Sequence, residues 1–261
     1  MNCIIKTKSE IEKIKTAGKI AAEVLEMIEK YIKPNISTEE INNICHDFII
    51  KKNAVSACLG YHGFPKSICI SVNDVVCHGI PNKNQILKSG DIVNVDVTVL
   101  KKKYYADTSK MFLVGKTNFL SQRLCKIAQE SLYECFNILK PGLPLYEIGT
   151  TIQNYVEKHN FSVVREYCGH GIGRSFHEEP HVLHYKNKSN IFLKKGMIFT
   201  IEPMINAGHH EVKCMNDGWT VKTKDHSLSA QYEHTILITK NGCDILTWQK
   251  NEKIPSNFIN K

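Results

Sequence analysis

A chain of 261 residues with 42% hydrophobic and 23% charged side chains has enough apolar material for a substantial core and reads as an ordinary soluble globule. Lysine and arginine outnumber the acids, 34 to 26, for a net charge of +8. The basic residues are scattered, with Lys101-Lys102-Lys103 as the longest run, so the excess describes a solvated surface and no nucleic-acid interface is assigned. No apolar run approaches the roughly 18 residues that cross a membrane. With no signal-peptide pattern and no C-x-x-C among ten cysteines, reduced thiols and a cytoplasmic protein are expected.

The first predicted element is a long amphipathic helix, with Ser9 and Glu12 at capping-box spacing and Ile11, Ile14, Ala17, Ala21, Val24, Leu25, Ile28 and Ile32 at helical intervals before Pro34. Ser37 and Glu40 repeat the capping signature and open a second helix to about Asn53. Short β-rich runs follow, including 68–71, 92–99 and 104–114. Leu120, Leu124, Ile127, Leu132 and Leu139 then restore the helical period up to Pro141-Gly142. A further helix carries Ile148, Ile152 and Val156, and the remainder is β-rich again.

Helix, helix, strands therefore occurs twice, and the joints agree. Ile32-Lys33-Pro34-Asn35-Ile36 lies 107 positions before Leu139-Lys140-Pro141-Gly142-Leu143, and Glu40-Ile41 and Glu147-Ile148 keep that offset. The expectation is one α+β domain over residues 1–261, made of duplicated halves at about 1–115 and 116–250. Helices should pack on one face of a mainly antiparallel sheet, with a site where the halves meet.

In Val93-Asn94-Val95-Asp96-Val97-Thr98-Val99 strict alternation puts the valines on one face and Asn94, Asp96 and Thr98 on the other. Tyr105-Ala106-Asp107-Thr108-Ser109 reads as the partner strand, and a reversal centred on Lys101-Lys102 sets Asp96 directly opposite Asp107. Like charges so placed, with Cβ atoms roughly 5 Å apart, are destabilising unless a cation lies between them. Two divalent ions about 3.5–4 Å apart fit such a gap.

Further on, Cys168-Gly169-His170-Gly171-Ile172-Gly173 offers a histidine whose glycine neighbours let backbone approach a ligand closely. Glu202 ends the apolar run Ile198–Ile201, and Glu233 precedes Thr235-Ile236-Leu237-Ile238, positions where an acid is rare unless paired or bound to metal. Either acid alone could meet a lysine. Together with Asp96, Asp107 and His170 they make a five-residue ligand set of charge about −4, which two divalent ions neutralise. Oxygen-rich ligation with one nitrogen suits Mn, Fe, Co or Zn.

These five residues, within G-D-I-V-N-V-D-V-T-V, A-D-T-S-K, C-G-H-G-I-G, T-I-E-P-M and Q-Y-E-H-T, resemble the type I methionine aminopeptidases of metallopeptidase family M24, and the resemblance extends from the opening helix to about residue 248. It implies the duplicated, pseudo-twofold "pita-bread" fold, a curved antiparallel sheet with paired helices on its outer face. It implies a metal-activated water that releases the initiator methionine of nascent proteins when the second residue is small. By the same resemblance Asp96 ligates one metal, His170 and Glu202 the other, and Asp107 and Glu233 bridge them. Glu202 also shuttles protons, while His78 and His177 hydrogen-bond the substrate.

The family's methionine pocket corresponds to Cys58, Tyr61, Phe64, Cys69, Phe176 and Trp219, each of which taken singly would pass for core packing. Phe64 stands where many relatives have tyrosine. A monovalent cation, sodium or potassium, corresponds to Asn73, Val75 and Ser229. The remaining histidines read as structural or surface. Proline-specific relatives share the ligand set behind an additional N-terminal domain, for which a first ligand at position 96 leaves no room. Non-catalytic relatives that serve as ribosome- or RNA-associated binding modules lose ligands that this chain keeps. The expected partners are nascent N-termini and the ribosome surface, with no membrane or nucleic-acid substrate, and a monomer is expected. Asn2 is a poor second residue, so Met1 should be retained.

Overall fold

A computed structural model describes residues 3–252; Met1 and Asn2, whose retention the sequence predicts, lie outside them. Helix α1 spans Lys8–Ile28 and continues as a 3-10 turn over Glu29–Tyr31. Its capping box is formed by Thr7 and Glu10, not by Ser9 and Glu12. Thr7 holds the extended cap conformation, and its amide donates to the Glu10 carboxylate at 2.8 Å. Ile14, Ala17, Ala21, Val24, Leu25 and Ile28 are completely buried, each large aliphatic side chain contributing about 1.5–3 kcal/mol of transfer free energy. Helix α2, Thr38–Lys51, carries the expected Ser37–Glu40 box.

In the second half, α3 spans Phe119–Ile138, capped by the Asn118 side chain, and α4 spans Tyr146–Lys158. Leu124, Ile127, Leu132 and Leu139 are buried as expected, but Leu120, in the first turn, is exposed. One apolar cluster joins α1 and α2 to the strands of the first half, and another joins α3 and α4 to those of the second.

All strand pairings among the described residues are antiparallel. Ile92–Lys101 and Tyr104–Leu113 form a hairpin with ten residues in each strand, and Cys69–Val72 and Val55–Ser56 pair with the first of them. A second sheet orders Cys243–Ile245, His234–Ile238, Ile198–Ile201, Gly169–Gly171 and Glu178–Val182 side by side. The halves meet where Ser109 and Glu233 exchange backbone hydrogen bonds of 3.3 and 3.1 Å.

The two joints share geometry as well as sequence. Asn35 and Gly142 both take positive φ, 73° and 88°, and their amides donate to Leu87 and Leu193 respectively. The Leu87 and Leu193 amides return bonds to Ile36 and Leu143, at 2.9 and 2.8 Å. This recurrence supports an internal duplication.

Candidate active site

The hairpin reverses one residue later than the sequence suggested. Lys101 pairs with Tyr104, and Lys102 and Lys103 both adopt the left-handed conformation (φ 51° and 67°), the form of two-residue turn that matches strand twist. Asp96 is consequently opposite Ser109 and Asp107 opposite Thr98, so the two aspartates are not directly paired. The offset moves the partner strand by two residues, which preserves the face. Asp96 and Asp107 remain diagonal neighbours on one surface, with their carboxyl groups within mutual hydrogen-bonding reach.

His170 sits on the short strand Gly169–Gly171, between Ile198–Ile201 and Glu178–Val182. The flanking glycines serve close packing between strands and not approach to a ligand: a Cβ on Gly169 would stand 2.3 Å from the Thr200 carbonyl oxygen, and one on Gly171 2.3 Å from that of Glu179. His170 Nδ1 faces the Gly171 carbonyl at 3.0 Å, which places the proton there and leaves Nε2, 3.5 Å from Glu202 Oε1, as the ligand atom. Ligand atoms of Asp107, His170 and Glu233 all lie within 4.8 Å of one another.

Supporting hydroxyls fix these groups. Thr98 Oγ1 donates to Asp107 Oδ1 at 2.9 Å, and Thr200 Oγ1 donates to Glu202 Oε1 at 2.7 Å. Thr235 Oγ1 accepts the Asp107 amide at 3.0 Å and donates to the Asp107 carbonyl at 2.8 Å. Thr108 Oγ1 donates to the Glu233 carbonyl at 2.7 Å, and His184 Nε2 accepts the Glu202 amide at 3.1 Å. Of these supports, only Thr98 was visible as part of the polar hairpin face. Polar Thr200 and Thr235 inside apolar strands were the available signal for two of the others.

Burial dominates the electrostatics. It raises Asp96 and Glu233 well above the ordinary carboxylate range, with the charge of Asp107 adding to both. Glu202 is pushed up to about 8 and Asp107 to about 6, again chiefly by burial. Desolvation lowers His170 to about 3 and His177 to about 4, each helped by a neighbouring histidine, and also lowers His78. Asp96 Oδ1 and Glu233 Oε1 are buried without a hydrogen-bond partner. Four clustered acids, two of them with an orphaned oxygen, facing an imidazole held neutral, form a donor set that fits divalent metal.

All five candidate ligands, both additional histidines and all six candidate pocket residues line a single cavity of about 350 Å³. Its apolar end is aromatic: Phe64 meets Trp219 edge-on at 5.1 Å, and Tyr61 lies 4.6 Å from Phe176. Tyr61 and His177 are linked at 2.7 Å between the phenol oxygen and Nδ1. Glu166, Tyr167, Cys168, His181 and Met204 also line the cavity; Cys168 and Met204 lie within the motifs around His170 and Glu202 without being singled out, and His181, exposed as a surface histidine would be, stands at the cavity wall. Away from the cavity, the Ser229 amide donates to the Asn73 carbonyl at 2.9 Å, while Val75 lies two residues on from Asn73.

A sequence profile described as "Metallopeptidase family M24" matches residues 12–240. A methionine aminopeptidase of Buchnera aphidicola subsp. Schizaphis graminum is 86% identical over all of both chains. That of Escherichia coli K12 is 63% identical, covering 97% of this chain and 96% of its own. The chain belongs to the methionine aminopeptidases of metallopeptidase family M24. The crystal structure of methionine aminopeptidase from Rickettsia prowazekii superposes with a TM-score of 0.92 at 50% identity, covering 95% of this chain and 100% of its own. The fold is the pita-bread fold of that family, as the resemblance implied, and Cys45, Cys58, Cys69, Cys77, Cys125 and Cys135 are buried. No described helix is long and apolar enough to cross a membrane.

Proposed function

We propose that this protein hydrolyses the peptide bond after the N-terminal methionine of nascent polypeptides when the second residue is small. The observation that carries the reading is the single cavity in which an apolar aromatic pocket adjoins a cluster of four carboxylates and a neutral imidazole, with Asp107, Glu202, Glu233 and His170 buried and Asp96 half-buried. Asp96, Asp107, His170, Glu202 and Glu233 would hold two divalent ions, which when bound would activate water and polarise the scissile carbonyl.

The methionine thioether fits the wall of Cys58, Tyr61, Phe64, Cys69, Phe176 and Trp219, where a polarizable, flexible side chain gains from contact with ring edges. His78 and His177, neutral at physiological pH because desolvation depresses both, donate hydrogen bonds to the substrate amide and to the oxygen that gains charge. The Glu202 carboxylate, oriented by Thr200, takes a proton from the attacking water and delivers it to the leaving amine. A bulky second residue would crowd His78 and His177, and a polar one such as asparagine would lose hydrogen bonds to water. A monovalent ion at Asn73, Val75 and Ser229 would brace the joint between those segments, using the lone pair of the Asn73 carbonyl that Ser229 leaves open. We place the protein in the cytoplasm as a monomer working at the ribosome surface.

The test compares Met-Ala-Ser, Met-Asn-Ser and Ala-Pro-Ser peptides with and without added divalent ion. Metal-dependent release of methionine from the first alone is expected, whereas cleavage of the proline peptide would move the assignment to the proline-specific branch of the fold.

A further inference from the structure

The turn Gly173–Glu178, which carries Phe176 and His177, is assembled around a charge that the mechanism does not use. Glu178 Oε1 accepts the backbone amides of Arg174 and Ser175 at 2.7 and 2.9 Å. Its other oxygen pairs with the ammonium of Lys6, whose side chain is 0% exposed against 5% for Glu178. Lys6 arrives from the opposite end of the sequence, and its own amide is fixed to the Gly196 carbonyl at 2.8 Å. The turn closes over the lysine stem so tightly that a Cβ on Gly173, where φ is +147°, would stand 2.7 Å from Lys6 Cε. On its far side the Gly173 carbonyl accepts the Tyr105 amide at 2.9 Å, two residues from Asp107.

A buried ammonium is costly unless it is paired, and here its partner is the carboxylate that curls the turn. The outer ion pair of Arg174 with Glu10 is half exposed at the arginine and constrains the turn less. We propose that Lys6 is a positioning residue for His177: its ammonium gathers the Gly173–Glu178 turn around Glu178 and so sets where His177 and Phe176 stand at the cavity. The inference rests on the role assigned to His177 above. The N-terminal segment, none of whose described residues lines the cavity, thereby controls a hydrogen-bond donor of the reaction.

A double-mutant cycle separates positioning from general damage, using the metal-loaded full chain, a Met-Ala-Ser peptide, and wild type, Lys6→Met, His177→Ala and the double variant. Lys6→Met is expected to lower kcat about tenfold while metal content stays at the wild-type level; in the His177→Ala background the same change should cost less than about twofold, because coupled sites are not additive. Lys6→Arg, which keeps the charge, should recover most of the rate. If Lys6→Met does not fold, Glu178→Gln replaces it in the cycle, since a neutral amide oxygen still accepts both turn amides. Equal losses with and without His177, or a wild-type kcat in Lys6→Met, would overturn the proposal alone. A wild-type rate in His177→Ala would overturn it together with the role of that histidine.

Discussion

The two halves of the molecule share a joint but supply the cavity in different ways. Asn35 and Gly142, 107 positions apart, both take positive φ and make corresponding hydrogen bonds. The first half then delivers both its acids from adjacent strands of one hairpin, Ile92–Lys101 and Tyr104–Leu113, whereas the second collects His170, Glu202 and Glu233 from three separate segments. A hairpin sets the shared face of two side chains by local register, with Thr235 of the other half adding two bonds to the Asp107 backbone. Three dispersed segments are set only by the completed sheet and its supporting hydroxyls, so the second half should be where chemistry is tuned and the first where charge is anchored.

The largest expected effect tests that division. Glu202→Gln keeps the hydrogen bond from Thr200 but removes proton transfer, and turnover should fall by about 10²–10⁴ with KM nearly unchanged. Kinetics showing a raised KM with wild-type turnover would make Glu202 a binding group only. Next, Leu25→Ala in α1 and Leu132→Ala in α3, both 0% exposed, should each cost about 2–5 kcal/mol of unfolding free energy, with little change in the rate of the folded enzyme. Chemical denaturation alongside active-site titration reads both quantities. A loss of rate confined to one half would show that its helix layer also shapes the cavity.

The smallest effect concerns pH. In the metal-free chain Asp107 and Glu202 have pKa values raised to about 6 and 8, so their protonated forms favour folding and this contribution is lost as pH rises through those values. Protons and divalent ions compete for the same oxygens. His170, lowered to about 3, stays neutral and available throughout this range. Added Mn²⁺ should therefore raise the melting temperature more at pH 8 than at pH 5.5, as measured by differential scanning calorimetry against a chelated control. An equal increment at both values would mean that these carboxylates are not the groups that receive the ion.

The same contrast explains what could be read in advance. Strong periodicity exposed α1 to α4, and alternation exposed the shared face of Asp96 and Asp107, because both patterns are local. The turn at Lys102-Lys103 was misplaced by one position since consecutive lysines carry no preference for left-handed geometry, and three were available. The α1 cap was misplaced for a similar reason, with Thr7–Glu10 and Ser9–Glu12 offering equal spacing and only the extended conformation at Thr7 deciding. Gly169 and Gly171 were recognisable as close-approach sites, but which backbone approaches them depends on strand order. His181 and Tyr167 reach the cavity through long-range packing that leaves no mark on neighbouring residues.

The account depends most on the claim that the five-residue cluster holds two divalent ions, one anchored by each half and both shared through Asp107 and Glu233. Equilibrium dialysis of wild type and Asp107→Asn against Mn²⁺, with metal counted by mass spectrometry and methionine release assayed on the same samples, tests it directly. The wild type should retain two ions per chain, and Asp107→Asn should bind them more weakly with a parallel loss of activity. Unaltered stoichiometry, affinity and turnover in Asp107→Asn would contradict the bridging arrangement.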